Sequence, residues 1–412
     1  PILFSLIVYI KKKSKSTYRK KPYKKNFFLI GLMFGFGFYL SGIYWISYSL
    51  TFDQSFKFLI PFAVILIPLF LSLFLAFTIF IIGPFLNYNF TSILMFSGSL
   101  ALSDFFRSKV LTGFPWNLWA YSWSWLTEVL QILNIIGIFA FNLLVITFFS
   151  LPAVLFFKLN INKKIIICSF TFLFIFLIYI FGTFSINKNN GQLNFYKEKD
   201  KVFVKVISPN FDLKYQASIK EIEDKLKKLV RYSDPNDEKA TLFVWPEGVF
   251  TGYSLNEISQ FKPIIENNFK ENHLILFGIN TFDKKNNDNF NSLIVVNNKL
   301  EIIYQYNKKK LVPFGEFLPF ETFLNKLGLK KITQGHGSFS KGKIQENIQI
   351  GTMNILPLIC YEIIFSELTQ KADKNTNLIV NISEDGWFGD SIGPHQHFAK
   401  AIFRSIENNS FL

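Results

Sequence analysis

Cysteine is almost missing from this chain, with two in 412 residues. A scaffold held by disulfides is excluded. A bridge between Cys168 and Cys360 is not expected either, because Cys168 sits in an apolar run long enough to lie in a membrane. Cysteine usage therefore leaves the redox compartment open. Histidine is also scarce, at four residues. His395 and His397 stand close together but lack a clear third ligand, so no zinc site and no metal are expected. Acids are outnumbered by bases, 29 to 44, for a net charge of +15. No internal repeat and no cleavable signal peptide can be read. The chain opens on Pro1, and the apolar run at 2–10 is too short to span a bilayer. It reads as the tail of a helix whose beginning is absent.

What is present is apolar. Half of the residues are hydrophobic, 52 of them phenylalanine. Apolar stretches of about 20 residues, the length that crosses a bilayer, are expected near 27–49, 58–80, 84–103, 129–157 and 165–184. The surplus positive charge could suggest a nucleic-acid binder. Its placement argues otherwise, because residues 11–25 hold nine Lys or Arg and no acid beside an apolar segment. Such a run fits a cytoplasmic loop facing anionic lipid. Lys158, Lys163 and Lys164 form a second basic loop. Four complete spans lie between the two, which puts both on one side, and the span at 165–184 carries the rest of the chain out of the cytoplasm.

From residue 186 the composition changes to that of an α/β domain. Short β-rich runs at 202–208, 241–245, 274–279, 292–296, 302–306, 355–359 and 378–382 alternate with helical patterns. The segment 218–232 places Ile219, Ile222, Leu226 and Leu229 on a helical period. Further helices are expected around Ile264, Phe365 and Leu368 and over 397–406, and polar loops at 284–289 and 335–343. Strands with interspersed helices imply sheets covered by helices.

Three strand ends in this part carry polar groups, where α/β folds gather their sites. Glu247 follows Val244-Trp245-Pro246, Lys308 opens Lys308-Lys309-Lys310-Leu311-Val312-Pro313-Phe314-Gly315-Glu316, and Cys360 ends the run Leu356–Cys360. Each has a plain alternative: a surface turn, a solvated edge and a small buried hydrophobe. Together they suit nucleophilic catalysis. A thiol must lose its proton to attack, so it needs a base. The oxyanion formed next needs a cation and an N–H.

Glu247, Lys308 and Cys360 resemble the Glu-Lys-Cys triad of the nitrilase, or carbon–nitrogen hydrolase, superfamily. The strings at 308–316 and 381–397 are similar to those of the apolipoprotein N-acyltransferase family, as are 41–45 and 111–116 in the apolar part. The resemblance implies a multi-span α-helical membrane bundle over 1–185 and an extracytoplasmic nitrilase-like αββα sandwich over 186–412, in a bacterial cytoplasmic (inner) membrane. It also implies that most of the first span, the end of the catalytic domain and a final span are missing. The implied reaction takes an acyl chain from a membrane phospholipid onto Cys360 and passes it to the N-terminal amine of a diacylglyceryl-cysteine apolipoprotein. Glu247 is then the base and Lys308 the oxyanion's cation, with the Tyr361 N–H beside it. Glu316, Tyr361 and Glu362 are supporting residues, Glu316 near Lys308 and Glu362 as an orienting group. Tyr215, Trp387, Phe388 and Arg107 are assigned to substrate binding, although outward snorkelling is the plainer role for Arg107. Tyr215 stands where the family usually has Trp, and Glu384 where it often has Asn. No cofactor and no nucleic-acid partner are implied. A membrane-anchored amidase acting on a small amide is the alternative enzyme. A transporter with an inert outer domain is disfavoured by the lack of charge along the spans. Trp116, Trp119, Trp123 and Trp125 are expected as an interfacial belt, and Gly31, Gly35 and Gly37 as a close helix contact.

Overall fold

A computed structural model describes the chain except residues 18–22, 194–201, 214–216, 251, 323–337, 344–345 and 371–374. It forms two compact units, Pro1–Phe195 with Phe398–Asn408, and Tyr196–His397 with Asn409–Leu412.

The first unit is helical: α1 (Ile2–Thr17), α2 (Tyr23–Ile43), α3 (Ile60–Ile82), α4 (Phe90–Arg107), α5 (Leu133–Ser150) and α6 (Ile161–Leu193). Among the described residues, four stretches are long and apolar enough to cross a membrane: Lys24–Thr51, Gln54–Phe85, Leu133–Phe156 and Ile161–Asn189. The expected span at 84–103 is not one of them. Residues 90–103 of it lie in α4, which turns Ser92, Ser97, Ser103, Asp104 and Arg107 to the inside of the unit, where polar groups of a membrane bundle collect. The expected basic loop at 11–25 is partly helix. Lys11, 5% exposed, donates from Nζ to the Leu86 carbonyl (2.8 Å) and to Asn87 Oδ1 (2.9 Å).

α2 and α3 pack antiparallel at a glycine contact. A Cβ on Gly31 would lie 2.8 Å from Ala76 Cα, and one on Gly35 2.8 Å from Ser72 Cβ, whereas Gly37 faces open space. Only two of the three expected glycines therefore serve the contact. Trp116 is buried, its ring 4.8 Å from that of Trp45, and Trp119 stacks on Phe38 at 4.6 Å. Of the expected belt, Trp125 is the one standing 74% exposed.

The second unit contains β1 (Phe203–Val206), β2 (Thr241–Val244), β3 (His273–Asp283), β4 (Asp288–Val296), β5 (Ile302–Asn307), β6 (Ile348–Ile350), β7 (Met353–Ile359) and β8 (Leu378–Ile382). Its helices include α7 (Ile219–Ser233), α8 (Lys262–Asn268) and α9 (Ser366–Gln370), and it holds the first residues of α10 (Gly393–Asn408). One sheet runs β1-β2-β3-β4-β5 and the other β6-β7-β8. β1, β2 and β3 are parallel, β4 and β5 return antiparallel, and β7 and β8 are parallel.

Strand alternation builds two cores. Leu242 and Val244 of β2 join Ile355 and Ile359 of β7 and Val380 and Ile382 of β8, so the two sheets face each other. Phe243 and Trp245 point the other way, onto Ile222, Leu226 and Leu229 of α7 and Ile265 of α8. α7 starts at a capping box in which Ser218 and Glu221 satisfy each other's backbone N–H. Ile219, expected on the buried stripe, is 55% exposed at the helix's first turn, and Val230 is buried with the stripe instead. The fold is thus a set of apolar helices followed by an α/β domain built on two facing sheets.

Candidate active site

The three strand ends converge. Cys360 follows the last residue of β7, Lys308 the last of β5, and Glu247 comes three residues after β2. Cys360 has φ +50°, the left-handed region, which costs a non-glycine residue about 1–2 kcal/mol. That reversal starts the tight turn Cys360–Ile364 and keeps the side chain at the strand's end. Gly248, at φ +75°, turns the chain behind Glu247.

Lys308 is 1% exposed. Its backbone N–H donates to the Asn291 carbonyl (2.9 Å) and its own carbonyl accepts from Gly342 N–H (2.8 Å). Nζ lies 2.9 Å from Glu316 Oε1 and 4.0 Å from Glu247 Oε1. Asn291, on β4, bridges the two acids, donating to Glu247 Oε1 (2.9 Å) and Glu316 Oε1 (2.7 Å). Glu316 Oε2 takes the Val312 N–H (2.8 Å). The Glu247 carboxyl and the Ser383 hydroxyl are neighbours of the Cys360 thiol.

The electrostatics follow from burial. Desolvation pushes the Cys360 thiol well above its ordinary value, and the Glu247 charge adds to this, while Lys308 opposes it. Desolvation likewise raises Glu247, opposed first by Lys308. Burial would lower Lys308, but the charges of Glu316, Glu247 and Cys360 outweigh it, so the ammonium persists. The resting pair is a neutral thiol beside a carboxyl, with a fixed cation at hand. Such a set can move one proton between sulfur and carboxylate and can stabilise an oxyanion.

Glu362 is fully buried and does not bond the thiol or Lys308 Nζ. Oε1 accepts the N–H groups of Lys309 (2.7 Å) and Lys310 (3.0 Å), and Oε2 that of Ile359 (2.9 Å). The Tyr306 hydroxyl donates to the same carboxylate at 2.9 Å. This one side chain ties the backbone beside Lys308 to the backbone beside Cys360. The Tyr361 ring packs edge-on to Phe365, centroids 5.1 Å apart. Trp387 and Phe388 lie in the short turn Asp385–Phe388 after β8, and the Phe388 ring meets His397 at 5.5 Å. Glu384 accepts Gly386 N–H (3.0 Å), and burial first, then Glu247 and Asp385, raise it to about 7. Tyr215 lies outside the described residues.

Arg107 is a correction. Expected to reach a lipid phosphate or the interface, it is 2% exposed in the first unit. It pairs with Asp104 at 2.9 Å and donates to the carbonyls of Asn117 (3.2 Å) and Phe114. An acid one helical turn back and two loop carbonyls take the two terminal amino groups of the guanidinium, while Nε has no hydrogen-bond partner among the described residues.

Sequence reading missed Asn291, Tyr306, Ser383 and the Asp385–His397 pair. Asn291 could have been suspected only from the polar interruption Asn289–Phe290–Asn291 ahead of an apolar strand. Among the described residues, no group of three or more His, Cys, Asp or Glu side chains is arranged to hold a metal ion.

Residues 4–151 match the family model of the apolipoprotein N-acyltransferase N-terminal domain, and residues 214–412 that of carbon-nitrogen hydrolase. The chain is similar to an apolipoprotein N-acyltransferase of Rhodopseudomonas palustris, 30% identical over 398 residues, covering 92% of this chain and 72% of the relative. It is also 29% identical over 412 residues to one from Rickettsia typhi, covering 98% and 79%. A solved carbon–nitrogen hydrolase from Helicobacter pylori G27 superposes with TM-score 0.34 at 14% identity, over 50% of this chain and 68% of that one.

Proposed function

The chain belongs to the apolipoprotein N-acyltransferase family, and on that premise we propose that Cys360 carries an acyl chain between two substrates in a ping-pong transfer. The donor is a membrane phospholipid, and the acceptor is the α-amine of a diacylglyceryl-cysteine at an apolipoprotein N-terminus. In the first step Glu247 takes the thiol proton and sulfur attacks the ester carbonyl. A C–S bond forms, and the oxyanion is held by the Lys308 ammonium and the Tyr361 N–H. Collapse breaks the C–O bond, and the leaving lysophospholipid oxygen takes the proton back from Glu247. In the second step the amine attacks the thioester carbonyl and a C–N bond forms while its proton passes to Glu247; collapse then breaks the C–S bond, and Glu247 returns the proton to sulfur, restoring the thiol. Glu316 holds the ammonium in direction, and Trp387 and Phe388 border the acyl chain. No cofactor is called for.

One observation carries this reading: a thiol, a carboxyl and a buried ammonium converge from three strand ends, with Lys308 Nζ 2.9 Å from Glu316 and 4.0 Å from Glu247. The four long apolar helices suit a donor that resides in a bilayer. In this proposal the protein sits in the bacterial cytoplasmic membrane with the catalytic unit on the extracytoplasmic side. Intact-mass analysis of the full chain after exposure to phospholipid micelles tests it. An acyl adduct on Cys360 that disappears in Cys360→Ser is expected, because a hydroxyl is much harder to deprotonate than a thiol. An adduct at the wild-type level in Cys360→Ser would sink the mechanism. Release of free fatty acid in place of N-acyl peptide would move the reading to hydrolysis.

A further inference from the structure

We infer that His397, braced by Asp385, is a positioning residue that aims the Tyr361 backbone N–H at the reacting carbonyl. The inference rests on the reading of Cys360 as the acyl carrier.

His397 is 4% exposed, and both ring nitrogens are engaged. Nε2 lies 3.1 Å from the Cys360 carbonyl oxygen and Nδ1 2.9 Å from Asp385 Oδ1. A carbonyl oxygen can only accept, so Nε2 carries a proton and donates to it. Asp385 also accepts the Ser383 hydroxyl, and Phe388 lies edge-on to the imidazole at 5.5 Å. The ring is therefore fixed in place. It does not reach the thiol as a base, because its inner nitrogen is spent on the carbonyl. It offers no nitrogen to a metal either.

The carbonyl it holds belongs to the peptide joining Cys360 to Tyr361. That peptide is planar and trans, so its C=O and N–H point in opposite directions. Fixing the oxygen toward His397 fixes the Tyr361 N–H toward the opposite side. The plane needs fixing, since it follows a residue at φ +50°, where a non-glycine backbone is strained. A hydrogen bond to the oxygen also polarises the amide and strengthens the N–H as a donor. His397 thus acts on the oxyanion through the peptide, without touching substrate.

The test compares two reactions of one sulfur in the full-length protein. Acylation by mixed micelles of phosphatidylethanolamine and phosphatidylglycerol passes through an oxyanion, whereas alkylation by iodoacetamide does not. Removing one oxyanion donor costs about 10²–10³ in rate. We expect His397→Ala to lower acylation about 10²-fold and to leave alkylation within about twofold. His397→Gln, whose amide can still donate to the carbonyl, should recover about tenfold of that loss. Asp385→Asn can turn its amide to donate to Nδ1, leaving Nε2–H on the carbonyl, and should cost less than about tenfold. If His397→Ala does not fold, the acylation-to-alkylation ratio is read in His397→Gln, where it should fall about tenfold below wild type. An unchanged ratio overturns the inference, whether both rates hold or both fall together. Failure of the underlying reading looks different, because wild type would then form no adduct on Cys360 at all.

Discussion

The two units bury the same three-part device and use it differently. In the helical unit Arg107 pairs with Asp104 at 2.9 Å, and Asn142 donates to the other Asp104 oxygen at 2.9 Å. In the α/β unit Lys308 pairs with Glu316 at 2.9 Å, and Asn291 donates to the same acid at 2.7 Å. Both cations are at most 2% exposed. The difference is where the remaining hydrogen-bonding capacity goes. Arg107 donates to the carbonyls of Phe114 and Asn117, while Asn142 accepts Ala120 N–H at 3.0 Å, so the cluster braces the loop between α4 and α5. Lys308 keeps its ammonium facing Glu247 and Cys360. A buried ion pair is thus no sign of chemistry by itself. The groups that its donors face are the sign.

The comparison can be broken most directly by removing each cation. Lys308→Met should lower acylation of Cys360 by about 10³-fold per folded molecule, the scale of a lost oxyanion donor, and should also cost about 3–5 kcal/mol of stability because Glu316 loses its cation. Arg107→Met should cost stability on the same scale, because Asp104 is left buried without its cation. Its acylation rate per folded molecule should hold. Thermal unfolding in detergent beside single-turnover rates separates the two; a rate collapse per folded molecule in Arg107→Met would erase the distinction.

Acid gives the next effect. Burial raises Glu247 above its ordinary 4.5, so its acid form persists to higher pH than that of a free glutamate. Only the ionised carboxylate can take the thiol proton, so the rate should fall about tenfold per pH unit below the raised value. A raised carboxyl contributes stability below its unfolded value and loses it as pH rises through the folded one. Between 4.5 and the raised value, Glu247 therefore lets activity drop without contributing to unfolding. A pH–rate profile beside a pH–melting profile checks this, and coincident loss of both would contradict it. The bridging amides should matter least. Asn291→Ala should slow acylation by a factor of about three to ten, of order 1 kcal/mol. Asn142→Ala should leave the rate alone and cost about 1–2 kcal/mol of stability.

Much of this was legible in the sequence, for identifiable reasons. β2, β3, β4, β7 and β8 show as apolar runs because each is buried on at least one face, whereas β5, exposed over residues 302–305, shows by its β-branched and aromatic residues. β6 was not foreseen, being only Ile348–Ile350. Glu247, Lys308 and Glu316 could be picked out because each stands beside a strand end or a Pro-Phe-Gly turn. Asn291 showed as no more than a polar break ahead of an apolar run, because strand pairing, Asn280 opposite Asn291, brings it beside acids 44 and 25 residues away. His397 was noticed and tried against the wrong chemistry. Its partners are a backbone oxygen and an acid 12 residues back, and a backbone oxygen leaves no trace in a pattern of side chains. Arg107 was expected to face outward because its nearest acid, Asp104, lies at the end of an apolar stretch and reads as part of the same boundary.

Glu362 ties down both ends of a long excursion of the chain. The N–H groups of Lys309 and Lys310 and that of Ile359 end on one carboxylate. The spacing of cation and sulfur is thereby set locally, at the neck of the excursion. Lengthening such a closed segment adds entropy cost only logarithmically, about 0.6 kcal/mol per doubling. Evolution or an engineer can then graft, trim or recode the stretch between 317 and 341, leaving Glu316 and Gly342 to hold Lys308, and admit new acceptors while the distance that matters for transfer stays put.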